Sequence, residues 1–169
     1  MGTTVSILII LNNDYIVTHV GDSRIYHMLN PYEIKQLTED HSWVQLQVSQ
    51  GLLTPEEARN HPRKNVLLQC LGIEDEIKPY QLQGECHNHD LFLLCTDGFY
   101  SLFTNNEILS LLVHLLEKYN SLQQITDHLI ELAITYRATD NITVLLVRAN
   151  LPARAVKGWK HRIRNIFKR

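Results

Sequence analysis

The feature that most constrains this chain is a run of five apolar residues that ends abruptly in an acid and a glycine. Residues 91–95 read LFLLC, and Thr96, Asp97 and Gly98 follow directly. A short apolar run bounded by turn residues is typical of a strand buried on both faces. The pattern therefore predicts a core strand that ends in a carboxylate. Either Asp97 forms an ordinary Asx turn, or the strand holds it rigidly for a metal or a substrate.

Length and composition indicate a single globular domain. The chain has 169 residues, of which 44% are hydrophobic and 20% charged, so it is long enough to bury a core. Its three cysteines, Cys70, Cys86 and Cys95, have an odd count and no motif spacing, which favours a reducing, cytoplasmic setting. No segment approaches the roughly 18 uninterrupted apolar residues of a membrane-spanning helix. We therefore expect neither a disulfide scaffold nor a spanning segment.

Charge is divided unevenly along the chain. Seven of the 16 lysines and arginines lie at or after Arg154, so nine bases and all 18 acids precede it, a balance of −9. An acidic body argues against nucleic-acid binding. In the tail, 153–169, apolar residues recur at helical intervals among the bases, which indicates a basic amphipathic helix in peripheral contact with a membrane. A solvated tail or a linker is the alternative.

The order of strand and helix signals indicates an α+β domain. Four β-rich runs at the start predict two consecutive hairpins, which we interpret as one antiparallel meander. A capping threonine and a proline at the first helical position mark a helix start at 54. This order predicts layers of sheet and helix. The predicted strands are 5–11, 15–20, 24–28, 33–37, 66–71, 77–82, 91–96 and 141–147, and the other predicted helices are 41–50, 104–118 and 121–136.

Three aspartates share one setting at the edge of an apolar strand. Asp22 and Asp97 each follow such a strand, and Asp140 directly precedes the last one. In an antiparallel sheet these positions can converge on one rim, and carboxylate oxygens are ligands that Mg²⁺ and Mn²⁺ prefer. Water bound to these ions is acidified and can attack a phosphoryl group. Each aspartate could equally end its strand in an Asx turn, and spacing alone leaves both interpretations open.

Seven motifs, in order, resemble the metal-dependent protein serine/threonine phosphatases of the PP2C (PPM) family, in particular the bacterial members. The resemblance implies an antiparallel β-sandwich flanked by helices, in α-β-β-α layers, over residues 1–150. It also implies hydrolysis of phosphoserine or phosphothreonine in phosphorylated proteins by metal-activated water. The motifs are GTTV at 2–5, VGDSRIY at 20–26, LTEDHS at 37–42, GLLTPEEA at 51–58, HPRKNVLLQCLG at 61–72, LFLLCTDGFY at 91–100 and TDNITVLLV at 139–147.

The same resemblance implies roles for individual residues. Asp97 and Asp140 look like ligands of one Mn²⁺ or Mg²⁺ ion, and Asp22 is similar to an acid that joins Asp97 at a further metal site. Gly98 belongs to the same strand end as Asp97. Asn141 looks like a support for Asp140 rather than a ligand.

A further segment, about 41–71, resembles the family's mobile flap beside the active site. Its basic residues Arg63 and Lys64 could meet a phosphopeptide, and solvated loop charge is the alternative. The family's upstream arginine and its DGxGG stretch are absent from this sequence. The resemblance therefore implies an N-terminally truncated domain, poorly active alone, that an upstream segment or a partner chain would complete. The rival interpretation is a catalytically inactive PP2C-fold module that binds or regulates partners.

Overall fold

The computed structural model describes residues 1–73 and 76–151. Its strands are β1 (Val5–Leu11), β2 (Asp14–Val20), β3 (Arg24–Asn30), β4 (Glu33–Gln36), β5 (Tyr80–Glu85), β6 (Leu91–Cys95) and β7 (Val144–Arg148). Its helices are α1 (Trp43–Ser49), α2 (Pro55–Asn60), α3 (Asp97–Tyr100), α4 (Asn105–Lys118) and α5 (Leu122–Thr135).

The strands form two antiparallel sheets, in the orders β1-β2-β5 and β4-β3-β6-β7. The predicted single meander is therefore wrong, because the hairpins β1–β2 and β3–β4 lie in different sheets. The chain changes sheet at Gly21, whose φ of 113° lies in the region that favours glycine. A Cβ there would also overlap the Thr4 side chain. The loop that follows carries Asp22.

Strand β6 is buried on both faces, which explains why its sequence does not alternate. Leu91, Leu93 and Cys95 pack in the core between the four-stranded sheet and the helices. Phe92, which is 0% exposed, packs instead in the core that joins the two sheets. Because β6 lies between β3 and β7, its end is held from both sides. The predicted core strand is confirmed.

Helices α4 and α5 cover the four-stranded sheet. Thr104 begins α4 with a capping box, in which its side chain and that of Glu107 each bond the other's main chain. The apolar faces of the two helices are buried against this sheet, and the expected α+β fold of antiparallel sheets and helices is confirmed, with a helical layer over the four-stranded sheet. The buried positions are Ile108, Leu112 and Leu115 of α4 and Ile125, Leu129 and Ala133 of α5.

No helix among the described residues is long and apolar enough to cross a membrane.

Three predicted strands differ most from the structure, and helix α3 was not predicted. Residues 66–71 do not form a strand and pair only through the isolated bridges Ser42–Leu67 and Thr3–Leu71. Strand β5 begins at 80 rather than 77. Strand β7 begins at 144 rather than 141, because the preceding residues bond to the end of β6 instead of continuing the ladder. The predicted helix of the tail lies outside the described residues.

Candidate metal centre

The three predicted aspartates line one cavity of about 560 Å³. Asp22 lies in the loop between β2 and β3, Asp97 begins α3 directly after β6, and Asp140 lies in the loop before β7. They come from segments far apart in sequence, so only the folded sandwich brings them to a common opening. The structure places the candidates together, and their role as ligands stays a prediction.

Thr96 joins the two segments that carry Asp97 and Asp140. Its main-chain N–H donates to the Thr143 carbonyl oxygen at 3.2 Å, and its hydroxyl donates to the Asn141 carbonyl oxygen at 3.1 Å. The same hydroxyl accepts from the Thr143 N–H at 3.0 Å. These bonds span more than 40 positions of sequence and hold the tip of β6 against the loop before β7. Sequence reasoning passed over Thr96, although it directly precedes the aspartate.

Two main-chain amides orient the carboxylates of this pair. The Gly98 N–H donates to Asp97 Oδ1 at 2.9 Å, and the Asn141 N–H donates to Asp140 Oδ1 at 2.7 Å. Both bonds come from the residue that directly follows the aspartate, whereas an Asx turn uses the N–H two residues on. Each bond occupies one carboxylate oxygen and leaves the other able to face a ligand. The local bond and a role as metal ligand are therefore compatible.

The surroundings of Asp22 disfavour its ionised form. Burial is the largest influence, and with the negative charges of Asp97 and Asp40 it raises the pKa of Asp22 to about 6. Asp22 and Asp97 line the same cavity, so their like charges repel when both are ionised. A cation between them would relieve this repulsion, since opposite charge favours the ionised form. This is the electrostatic environment expected of a cation-binding rim.

Asp40 lies beside the three aspartates but is already neutralised by a cation of the protein. Arg24 donates from Nε to both carboxylate oxygens at 3.1 Å and from Nη2 to Oδ2 at 2.8 Å. Its guanidinium also donates to the Tyr26 hydroxyl and stacks 3.8 Å above the ring of Tyr100. Sequence reasoning missed this network, although Arg24 follows Asp22 by two positions.

The same cavity also has basic and apolar lining, called the basic wall below. It consists of Arg59 and Lys64, together with Val44 and Val48 of α1. Arg63, predicted with Lys64 as a substrate contact, lies with its guanidinium 5.2 Å from the Trp43 ring centre and is not part of the lining. Arg59 was missed by sequence reasoning, and its guanidinium donates to the carbonyl oxygen of Ser101, another lining residue, at 3.5 Å.

Two family models match overlapping parts of the chain. That of Stage II sporulation protein E (SpoIIE) matches residues 33–150, and that of Protein phosphatase 2C matches residues 1–47. The chain belongs to the PP2C/SpoIIE family.

Named relatives of this PP2C-type chain are bacterial phosphatases. "Serine/threonine phosphatase stp" of Listeria welshimeri is 38% identical over 151 residues, which are 89% of this chain and 58% of the relative. "Protein phosphatase PhpP" of Streptococcus pneumoniae is 39% identical over 153 residues, with 89% and 59% covered. The PP2C-type chain therefore spans less than two thirds of the length of these relatives.

Solved structures share the fold of this PP2C-type chain. Serine/threonine phosphatase Stp1 from Staphylococcus aureus superposes with a TM-score of 0.80 and 33% identity, over 90% of this chain and 57% of that one. The catalytic domain of the serine/threonine protein phosphatase PstP, in complex with 2 manganese ions, gives a TM-score of 0.73 and 32% identity, over 90% and 60%.

The chemistry of the three aspartates in this PP2C-type chain suits Mn²⁺ or Mg²⁺. Carboxylates are the preferred ligands of such ions, which keep several waters and commonly take only one or two protein carboxylates. In the part of the chain that the structure describes, no three His, Cys, Asp or Glu side chains are grouped so as to hold an ion. The cavity thus offers an acidic rim that fits an ion as a partial ligand set rather than a closed cage.

Proposed function

We propose that this chain forms the metal-facing part of a protein serine/threonine phosphatase that hydrolyses phosphoserine or phosphothreonine with Mn²⁺ or Mg²⁺. The single observation that supports it is that Asp22, Asp97 and Asp140 line one cavity in a chain of the PP2C/SpoIIE family. When bound, the ions would activate water for attack at phosphorus and offset charge on the phosphoryl oxygens. Phosphorylated proteins are the proposed partners.

The residues of the chain would supply position and charge. Asp97 and Asp140, fixed relative to each other through Thr96, would bind the ion together, and Asp22 would approach it from the loop that joins the two sheets. Because phosphoryl transfer depends mainly on positioning and electrostatic stabilisation, rigid placement of these acids is the main contribution the protein can make. The bonds of Thr96, Gly98 and Asn141 provide that rigidity.

The basic wall would receive the phosphorylated segment. Arg59 and Lys64 are exposed and face the same cavity as the acids, so they can approach a phosphate or the acidic residues around it. Val44 and Val48 give the wall an apolar part next to the charged one. We propose that Arg59 replaces Arg63 in the pair of basic substrate contacts predicted from the sequence.

A second candidate function is a PP2C-fold module that binds or regulates partners without catalysis. The observation that favours it is the absence, in residues 1–73 and 76–151, of a group of three ligands able to hold an ion. We accordingly expect the chain alone to hydrolyse phosphopeptides slowly.

Peripheral membrane contact through 153–169 and a cytoplasmic location stay predictions.

Hydrolysis of a phosphothreonine peptide by the purified chain, with and without Mn²⁺, separates the two functions. The variants are Asp97→Asn and Asp140→Asn, with Asp127→Asn of α5 as the matched control, since that aspartate is exposed and bonds only locally to Gln123. The phosphatase proposal predicts Mn²⁺-dependent turnover that falls by about 100-fold in both cavity variants and not in the control. A folded chain without Mn²⁺-dependent turnover would support the binding module, and turnover indifferent to the two substitutions would contradict the roles proposed for Asp97 and Asp140.

A further inference from the structure

The main chain of Gly21, directly before Asp22, is bonded by two histidines. Its carbonyl oxygen accepts from Nε2 of His19 at 2.8 Å and from the main-chain N–H of His41 at 2.7 Å. Its N–H donates to Nδ1 of the His41 ring at 3.3 Å. The centroids of the two imidazole rings lie 5.5 Å apart. Both hydrogen-bonding groups of Gly21 are therefore occupied by partners from outside its loop.

These partners determine the tautomer of each ring. A carbonyl oxygen can only accept, so neutral His19 holds its proton on Nε2, and its Nδ1 accepts from the Ser6 hydroxyl at 2.8 Å. Nδ1 of His41 accepts from an N–H, so the proton of neutral His41 lies on Nε2. Burial lowers the pKa of both histidines, which favours the neutral rings that this bonding needs. Each ring thus has a single defined role at Gly21.

Residues at the start of β1 and just before it also bond the same loop. The Thr4 and Ser23 hydroxyl oxygens lie 3.0 Å apart, and the Ser6 hydroxyl is 3.5 Å from the Ser23 carbonyl oxygen. The loop from Gly21 to Ser23 is therefore bonded on both flanks of Asp22. None of these side chains lines the cavity itself.

We propose that His19 and His41 are positioning residues for Asp22. By fixing the peptide planes on either side of Gly21, they set the direction in which the chain enters Asp22 and so hold its carboxylate at the cavity, near Asp97. Neither imidazole is catalytic, because each acts through Gly21 rather than on substrate or ion. This proposal rests on the proposed function, which gives Asp22 its place in the metal centre.

Replacing each histidine with glutamine and, separately, with asparagine distinguishes a positioning role from a packing role. The amide of glutamine reaches the position of Nε2 and that of asparagine the position of Nδ1, and either can donate or accept. His19→Gln keeps the donor to Gly21 and His19→Asn loses it, whereas His41→Asn keeps the acceptor and His41→Gln loses it. If the hydrogen bonds matter, glutamine is the better replacement for His19 and asparagine the better one for His41. A requirement for side-chain volume alone would favour the same amide at both positions.

The measurements are amide hydrogen exchange at Gly21, the NMR position of the Asp22 amide, and the Mn²⁺ dissociation constant of the purified chain. We expect His41→Gln to speed exchange at Gly21 by about tenfold, the loss of one hydrogen bond. We expect His19→Asn and His41→Gln to shift the Asp22 resonance and weaken Mn²⁺ binding, and the two opposite variants to stay near the wild type. Melting curves check that all four fold, and Ser6→Ala, which removes the donor to His19, replaces any variant that does not.

Equal effects of glutamine and asparagine at each position, or no effect of any variant, would overturn the positioning role. Failure of the proposed function has a different signature, in which the wild-type chain binds no Mn²⁺ although exchange at Gly21 and the Asp22 resonance follow the pattern expected of the four variants. In that outcome the histidines still fix Asp22, and the metal centre is wrong.

Discussion

Gly98 lies so close to the main chain of Asn141 that no side chain fits between them. A Cβ on Gly98 would overlap the Asn141 carbonyl oxygen and lie 2.9 Å from its carbon and 3.1 Å from the Asp140 carbonyl oxygen. The contact is with main-chain atoms, which cannot turn away as a flexible side chain would. The distance between the segments of Asp97 and Asp140 therefore depends on the absence of a side chain at 98.

Replacing Gly98 with alanine is expected to destabilise the fold and separate the two aspartates. Forcing a methyl group against the main chain costs about 1–3 kcal/mol in a well-packed site. Thermal or urea unfolding measures this loss. Ser101→Ala, in the exposed residue that ends α3, is the control and should change the free energy of unfolding by less than about 0.5 kcal/mol. Equal stability of Gly98→Ala and the wild type would show that the two segments separate without cost.

Breaking the ion pair of Arg24 and Asp40 is expected to destabilise the protein more than removing a surface acid. The Asp40 side chain is 7% exposed and that of Arg24 22%, so an unpaired charge would stay largely buried. Asp40→Ala should lower the free energy of unfolding by about 3 kcal/mol, compared with less than about 1 kcal/mol for Asp127→Ala. Urea titration of both variants measures the difference. Similar losses would mean that the pair is fully solvated.

The contribution of Asp22 to the stability of the ion-free protein is expected to fall as pH rises from 3.8 toward 6. The pKa of Asp22 is raised from 3.8 to about 6, first by burial and then by Asp97 and Asp40, so the native state holds this proton longer than the unfolded chain does. Its stabilising contribution is complete below pH 3.8 and is lost as pH passes through about 6. Unfolding titrations across this range, compared between the wild type and Asp22→Asn, isolate the contribution. The variant should lack it, and a parallel dependence in both proteins would show that a group other than Asp22 causes it.

Removing the basic wall is expected to weaken recognition of phosphopeptides. Arg59→Ala and Lys64→Ala should each raise KM by about five- to tenfold, because each removes one charged contact at the cavity. Arg63→Ala is the matched control, since that arginine faces Trp43 and should leave KM nearly unchanged. Peptide affinity in Mn²⁺ gives the same comparison where turnover is slow. A larger effect at Arg63 would restore the pair predicted from the sequence.

Much of the fold was predictable because local patterns and tertiary structure agree. The run 91–95 is apolar throughout since β6 lies between two strands and between two layers. The boundaries of α4 and α5 follow from apolar spacing and, for α4, from the capping box of Thr104. The prediction that failed concerns long-range structure. The pattern of β1 to β4 indicates two hairpins, but it does not show that they lie in two sheets, because that separation depends on the turn at Gly21.

The acids of the candidate site were predictable from the sequence, and the residues that position them were not. Asp22, Asp97 and Asp140 stand at strand edges that the sequence reveals, and motif resemblance singled them out. The sequence does not reveal that Arg59 lines the cavity while Arg63 lies against Trp43. The role of His19 was likewise hidden, because a buried histidine in a strand shows no partner until Gly21 is placed beside it.

We propose that Asp22, Asp97 and Asp140 meet at one cation-binding rim. Titration of the chain with Mn²⁺, followed by NMR, tests this claim. A bound paramagnetic ion broadens the resonances of nearby nuclei. We predict that the first amides to broaden are those at 22, 97–98 and 140–141, and that Asp97→Asn removes the effect while Asp127→Asn does not. Broadening centred elsewhere, or none at concentrations that saturate PP2C-type relatives, would contradict the claim.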